Sequence, residues 1–283
     1  MQIQAKMKFL LLFTLLALGA SSYAQQIDLS NQNWSSEVIR ERGQAIIPLY
    51  DGWYPNEDGT KTICFGYFNM NTKQSFNIPI GENNYLETDY PGLDLSAANI
   101  PTHFDPLPPA YRHIFCAFSV TVPEGFNTSH RITWHISSNR FELSTPGKVI
   151  PPYVLDEPRS DGRGDLAPLV KLSPNDRGVR GRTGIHTASM INASVDEAVS
   201  LRAWIEHPDE EVWVGWSHHS GQGNVEFDNK EYKIQTDNSE TTVAVRFSEA
   251  GEYVIRMQTI DNIAAFEFYC CHTNAYFHIN VSN

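Results

Sequence analysis

Apolar and polar residues alternate most regularly between Thr241 and Met257. The apolar positions lie on both sides of a polar corner that contains Gly251: Val243, Val245, Phe247, Tyr253, Ile255 and Met257. A period of two residues on each side of a glycine-containing corner predicts two antiparallel strands that bury one face.

Runs with the same period recur along most of the chain, and few residues after the first 24 favour a helix. The runs occupy residues 45–50, 62–68, 114–122, 132–136, 187–191, 199–205, 211–217 and 275–281. Many short strands without long helices are typical of sandwiches. The sequence therefore predicts an all-β protein with two β-sandwich domains.

Changes in composition suggest where these domains begin and end. Residues 25–42 are polar and form an expected N-terminal arm, and residues 43–155 form the first β-sandwich. Residues 156–179 are rich in Pro, Gly and Asp and are expected to link it to a second β-sandwich at 180–283. Within the first sandwich, residues 81–109 are aperiodic, and a loop of that length is either functional or a wrapped surface segment.

Residues 1–24 have the composition of a secretory signal peptide. Lys6 and Lys8 precede an apolar run from Phe9 to Ala20, and small residues at 22 and 24 suit signal peptidase. The apolar run is too short to span a bilayer, and no later stretch approaches the length that a spanning helix needs. We expect a secreted or periplasmic protein without membrane insertion.

Charge excludes one class of partner. The formal net charge is −12 at pH 7. An acidic surface repels phosphate backbones, so we expect no nucleic acid partner, whereas cations remain candidate ligands.

The four cysteines, Cys64, Cys116, Cys270 and Cys271, are free to oxidise in an exported protein. Four cysteines allow three pairings, and the sequence does not choose among them. We favour Cys64 with Cys116, because both lie in strand-like runs. Adjacent Cys270 and Cys271 can pair only by closing a strained small ring, so this vicinal pair stays an open alternative.

The C-terminal third carries a recognisable order of motifs. A tryptophan-containing run at 213–217 ends in a Ser-Gly-Gln-Gly turn at 220–223, the hairpin around Gly251 and Tyr253 follows, and Asp261 comes after it. This order resembles the PKD-type immunoglobulin-like domain, over residues 180–283. The resemblance implies a β-sandwich that serves as a spacer or as an adhesion and binding module. The first sandwich matches no family by its motifs.

Trp53 and Tyr54 are the candidate ligand-binding residues. They stand beside a turn, with Asp and Asn nearby, in a chain that is 12% aromatic. Exposed rings next to polar groups suit a sugar, because the ring gives apolar area and the polar neighbours orient hydroxyls. The competing interpretation is that both rings fill the core near a strand end.

Two sets of residues could hold a metal. Asp156, Asp161 and Asp165 offer oxygen ligands for calcium, although an acidic linker is usually just solvated. His219 and His272 could bind a soft metal if the turn after residue 217 met the Cys270-Cys271 corner. Both histidines are otherwise structural, and calcium is the only cofactor that we consider.

Signatures of common enzymes are lacking. The sequence contains no Gly-x-Ser-x-Gly elbow, no His-Glu-x-x-His and no phosphate-binding glycine loop. We therefore predict a secreted, non-catalytic binding or adhesion module with a carbohydrate or cell-surface ligand. The alternatives are a secreted hydrolase or metal-dependent enzyme with its site in the 81–109 loop, and a purely structural spacer. The oligomeric state stays open.

Overall fold

The structure, a computed structural model, describes residues 40–106, 113–155, 166–208, 211–261 and 271–283. Arg40–Asn283 form one compact unit. The described ranges consist of β-strands, connections and a short 3₁₀ helix at Pro151–Tyr153, which confirms the all-β fold. Within them, no helix is long and apolar enough to cross a membrane. The expected signal peptide and most of the arm lie outside the described residues.

The first eight strands build a sandwich. They are β1 (Ile46–Pro55), β2 (Lys61–Asn69), β3 (Phe76–Asn77), β4 (Asn84–Thr88), β5 (His103–Phe104), β6 (His113–Val122), β7 (Ile132–Ser138) and β8 (Phe141–Gly147). Two antiparallel sheets, β1–β2–β6 and β4–β7–β8, face each other, and β3 pairs with β5. Phe65 stacks on Phe118 with ring centroids 5.2 Å apart, and Trp134 from the facing sheet meets both rings edge-on. Two sheets that share this core form a β-sandwich.

The remaining strands build a second sandwich. They are β9 (Leu169–Lys171), β10 (Ile185–His186), β11 (Ile191–Ser194), β12 (Val199–Glu206), β13 (Glu211–Ser220), β14 (Val225–Phe227), β15 (Glu231–Gln235), β16 (Ser239–Phe247), β17 (Gly251–Asp261) and β18 (His272–Ser282). One sheet has the order β14–β16–β12–β9, and the other has β18–β17–β13–β15 with β10 and β11 parallel to β18. The apolar residues of the predicted hairpin, now β16 and β17, are all buried in the shared core.

The second sandwich has the strand order of an immunoglobulin-like fold. Strands β9, β12, β16 and β14 occupy the positions A, B, E and D, and β13, β17 and β18 occupy C, F and G. Near the start of β17, the Tyr253 hydroxyl donates to the Glu249 carbonyl at 2.9 Å, as in a tyrosine corner. Gly221, at a φ of 126°, packs so tightly on this ring that an added Cβ would lie 2.2 Å from it.

Strand β9 lies inside the segment that the sequence assigned to a linker. Val170 is fully buried in the core of the second sandwich and pairs with Ile205 of β12. A strand of three residues is too short to show a period in a polar segment. The second sandwich therefore includes residues from 169 onward, and residues 156–165 lie outside the described part.

A disulfide joins Cys64 of β2 to Cys116 of β6, the pair that we favoured from the sequence. Cys116 has a φ of 43° and lies in a bulge of β6. The bulge encloses the buried carboxylate of Asp51, whose Oδ2 accepts from Cys116 N at 2.6 Å and whose Oδ1 lies 2.9 Å from His113 Nε2. Burial raises the pKa of Asp51, and the His113 hydrogen bond opposes that rise.

The same bulge holds the two sandwiches together. Arg256 of β17 donates through Nη2 to the carbonyls of Phe115 and Cys116, at 3.3 Å each. Tyr276 of β18 donates its hydroxyl to the Ala117 carbonyl at 3.2 Å. Arg256 and Tyr276 are buried. Because buried donors and acceptors satisfy one another across this contact, the two sandwiches have a defined relative position.

Replacing Arg256 with Met is expected to destabilise the protein by about 2–3 kcal/mol, because its hydrogen bonds to the Phe115 and Cys116 carbonyls and to Asn274 Oδ1 are lost. Arg202→Met is the matched control, since that side chain is 60% exposed, and it should change stability by less than about 0.5 kcal/mol. Chemical denaturation measures both values. Equal effects of the two substitutions would contradict a structural role for Arg256.

Candidate functional site

A cavity of ≈300 Å³ opens where the two sandwiches meet, and we call it the junction groove. The first sandwich supplies Asn77, Ile80 and Thr102 to its lining, and the second supplies Met190, Glu252 and His278. No single strand carries this site. It exists because the loops around β3 and β5 approach the outer face of β17 and β18.

Hydrogen bonds fix the two walls of the junction groove relative to each other. The Thr102 amide donates to the His219 carbonyl at 3.0 Å, and the Gly221 amide donates to Thr102 Oγ1 at 3.3 Å. The Asn77 side-chain amide donates to the Gln222 carbonyl at 2.9 Å. Because these hydrogen bonds hold the walls in place, binding a ligand in the groove does not carry the entropy cost of ordering its loops.

Exposed apolar side chains line both walls. Ile80 is 61% exposed and Met190 is 42% exposed. Glu252 also lines the groove, and the lining contains no Lys or Arg. An apolar rim beside a carboxylate suits a ligand that carries an apolar group and is neutral or positively charged.

Behind the groove, a polar cluster around the buried His103 joins the sandwiches. His103 Nδ1 lies 2.5 Å from Asn77 Oδ1, and His103 Nε2 lies 3.0 Å from Asp105 Oδ1. Lys230 of the second sandwich donates to Asp105 Oδ2 at 3.1 Å. Burial acts to raise the pKa of Asp105, but the His103 hydrogen bond and the Lys230 charge outweigh it and hold this pKa well below its usual range.

Two neighbouring histidines of β13 are buried and neutral. His218 stacks on His103 with centroids 3.9 Å apart, and its Nε2 lies 3.0 Å from the Ser220 carbonyl. Burial, with a smaller contribution from His103, lowers the pKa of His218 to about 3. Burial also lowers the pKa of His219 to about 3, against a hydrogen bond to the Asn99 carbonyl at 2.8 Å.

A third histidine pair stands at the edge of the groove. His186 Nδ1 of β10 lies 3.0 Å from His278 Nε2 of β18. The His186 ring also stacks on Tyr276, with centroids 4.6 Å apart. His186 is exposed and His278 is half-buried. Burial lowers the pKa of both rings, and His278 lowers that of His186 further.

Trp53 and Tyr54 do not form an exposed aromatic platform. Tyr54 is buried at 7% exposure, and its hydroxyl lies 2.6 Å from Thr183 Oγ1. Trp53 is half-buried, and its Nε1 donates to the Ile150 carbonyl at 2.8 Å. Both side chains pack against the protein near a strand end, as in the competing interpretation of the sequence.

His219 and His272 are not brought together. His272 pairs with Ile260 in β17, whereas the residues that flank His219 pair with Ile255 and Val254, at the other end of that strand. Cys271, next to His272, is buried and disulfide-bonded. Cys270 lies outside the described residues, so the vicinal pair stays a prediction.

The expected calcium ligands Asp156, Asp161 and Asp165 also lie outside the described residues. Within the described ranges, no group of three or more His, Cys, Asp or Glu side chains is arranged to hold a metal ion. Calcium binding therefore stays a sequence-based expectation.

The loop at 81–109 does bring an acid and a histidine together, as the enzyme alternative requires. His103 and Asp105 meet, but both ring nitrogens of His103 face oxygen acceptors and the side chain is 7% exposed. The pair ties the sandwiches together behind the groove and does not open onto it.

A larger concavity of ≈540 Å³ lies in the second sandwich. Its lining is polar and charged, and includes Arg180, Glu206, His207 and Asp237. None of the large exposed hydrophobic residues of the described chain lines it. The junction groove is therefore the better candidate for recognition, because it combines apolar anchors with polar groups.

No family model and no curated protein matches this chain. Among solved structures, the D00-D0 domain of Intimin is 11% identical over 84% of this chain and 100% of that one, with a TM-score of 0.28. Domains 4 and 5 of the S-layer protein SbsC are 10% identical over 85% and 98%, with a TM-score of 0.25. A C. elegans MSP family member is 8% identical over 32% and 92%, with a TM-score of 0.25. The fold assignment rests on the strand order and the shared cores described above.

Neither the junction groove nor the pairing of His186 with His278 was predicted from the sequence. Ile80 and Met190 belong to no motif, and the strand-like run at 187–191 that contains Met190 does not show that its side chain lines a groove. His186 and His278 are 92 residues apart and meet through a short parallel pairing. The alternation of residues in the last strand indicates only that the His278 side chain points away from the core.

Proposed function

We propose that this chain is an exported, non-catalytic binding module and that the junction groove is its ligand site. One observation carries the proposal: Ile80 and Met190, exposed and from different sandwiches, line one groove. Exposing apolar side chains to water is unfavourable, and a groove that gathers them gains free energy when a ligand covers them. A structural spacer has no need of such a groove.

The chemistry of the groove favours a polypeptide segment with an apolar side chain. The rim is aliphatic, and the one Phe, Tyr or Trp side chain in the lining, Tyr253, is buried at 1% exposure. Sugar sites usually present a flat exposed ring, which this groove lacks. Asn77 and Glu252 provide polar groups that can bond a peptide backbone. We therefore propose a neutral or cationic peptide of a surface protein as the ligand.

A displayed peptide library tests this proposal. We expect the protein to select peptides with a shared apolar residue, and Ile80→Asp to weaken their binding by at least about 10-fold, since one buried aliphatic side chain contributes about 1.5–3 kcal/mol. Val154→Asp is the matched control, because Val154 is 48% exposed and does not line the groove. Equal losses in both variants, or no selected peptide, would refute the proposal.

The same variants separate the remaining alternatives. Binding to a glycan array that is insensitive to Ile80→Asp would instead support the glycan ligand expected from Trp53 and Tyr54. The PKD-type resemblance of residues 180–283 agrees with a binding or spacer role. We propose that the module works without a catalytic cofactor.

A further inference from the structure

His186 and His278 hold two imidazole nitrogens at the separation that two ligands of one metal ion adopt. The Nδ1 and Nε2 atoms are 3.0 Å apart, and the rings are inclined by only 22°. A metal–nitrogen bond of about 2.0–2.1 Å with an angle of about 90–110° places two nitrogens about 2.9–3.4 Å apart. An ion bound to both nitrogens would lie off the line that joins them, so each ring would turn toward it while the separation of the nitrogens changes little.

The surrounding structure keeps this pair in position. His186 is stacked on Tyr276, and the backbone amide of His278 donates a hydrogen bond to Thr187 Oγ1 at 3.0 Å. Neither ring has a carboxylate partner among the described ion pairs, and both have pKa values lowered by burial. Neutral imidazole is the form that binds a metal.

Met190 carries a donor of a different kind, a thioether sulfur, in the same groove. It lines the junction groove together with His278, and it is 42% exposed. A thioether is a soft ligand that selects Cu(I), whereas imidazole suits copper and zinc alike. The acidic chain, with a net charge of −12, favours the approach of any cation.

We infer that His186, His278 and Met190 form a mononuclear copper site at the edge of the junction groove. In the metal-free protein, one ring donates a hydrogen bond to the other. When copper binds, that proton moves to the far nitrogen of the same ring, so both lone pairs face the ion and the protein loses no proton. This inference does not depend on the groove binding a peptide.

Competition of untagged protein with the chromophoric chelator bicinchoninate, under reducing conditions that keep copper as Cu(I), tests the site. We expect one equivalent of Cu(I), a loss of affinity of at least about 100-fold in His186→Ala, and a loss of about 10-fold in Met190→Leu. His130→Ala is the control for a histidine elsewhere on the surface and should bind as the wild type does. His186 is exposed, so its variant should keep the denaturation midpoint of the wild type.

Three results would overturn the site: no Cu(I) bound, wild-type affinity in His186→Ala, or wild-type affinity in Met190→Leu. Zn²⁺ competing equally with Cu(I) would also overturn the role of the thioether. Ile80→Asp should leave copper binding intact. Failure of this inference and failure of the peptide-binding proposal are therefore distinguishable.

Discussion

Lowering the pH from about 6.5 to about 5 is expected to remove about 3 kcal/mol of stability from the folded protein. His218 and His219 are buried, and their pKa values in the folded state are about 3. In the unfolded chain both rings titrate near the ordinary value of about 6.5. Below that pH the unfolded state binds more protons than the folded state, so stability falls with pH until the folded pKa is reached. Each ring contributes about 0.7 kcal/mol per pH unit near pH 6.5, where the unfolded ring is half protonated, and about 1.36 kcal/mol per pH unit near pH 5.

Burial explains why these rings resist protonation. His218 Nδ1 is buried without a hydrogen-bond partner, so a proton there would have no acceptor. A second proton would also place His218 as a cation against His103, 3.9 Å away. His219 is enclosed at the contact between the sandwiches, where it faces the Asn99 carbonyl and the Tyr276 ring.

Urea denaturation at the two pH values measures this loss. His218→Gln keeps a donor for the Ser220 carbonyl and should halve the pH dependence, and the double variant with His219→Gln should nearly remove it. A wild-type stability that stays constant over this interval, or variants that keep the full slope, would show that the two rings are not held neutral.

Removing the disulfide with Cys64→Ala and Cys116→Ala is expected to cost about 4 kcal/mol. The bridge spans a sequence separation of 52 residues, and the chain-entropy model gives about 4 kcal/mol for a loop of that size. The bridge also holds the β6 bulge whose carbonyls accept from Arg256. The variant should therefore unfold at lower denaturant and also loosen the contact between the sandwiches.

A reductant separates this bridge from the one that involves Cys271. The variant lacks only the Cys64–Cys116 link, so any further loss of stability on reduction belongs to Cys271. A loss below about 1 kcal/mol in the oxidised variant would show that the bridge does not constrain the unfolded chain as the model requires.

The fold was largely predictable from the sequence, because strands that bury one face show a period of two. Val243 and Tyr253 are core residues of β16 and β17, as their parity predicts. The pairing of Cys64 with Cys116 was accessible for the same reason, since both stand in such runs. Strand β9 was not predicted, because a strand of three residues is too short to show a period of two.

The candidate site was not predictable in the same way. The junction groove depends on how loops of one sandwich meet the outer face of the other, and Thr102 and Glu252 carry no motif for that contact. Trp53 and Tyr54 show the converse, because their sequence pattern suggested a binding site that the structure does not expose. An aromatic residue near a strand end has the same local pattern whether its ring covers the core or faces water, and here Tyr54 is buried.

The location of the ligand site is tested most directly by methyl NMR during a titration with a selected peptide. We predict that the Ile80 and Met190 methyl resonances shift with the bound fraction, while those of Val154, which is also exposed but lies outside the groove, do not. Shifts at Val154 with unchanged Ile80 and Met190 resonances would contradict the junction groove as the binding site.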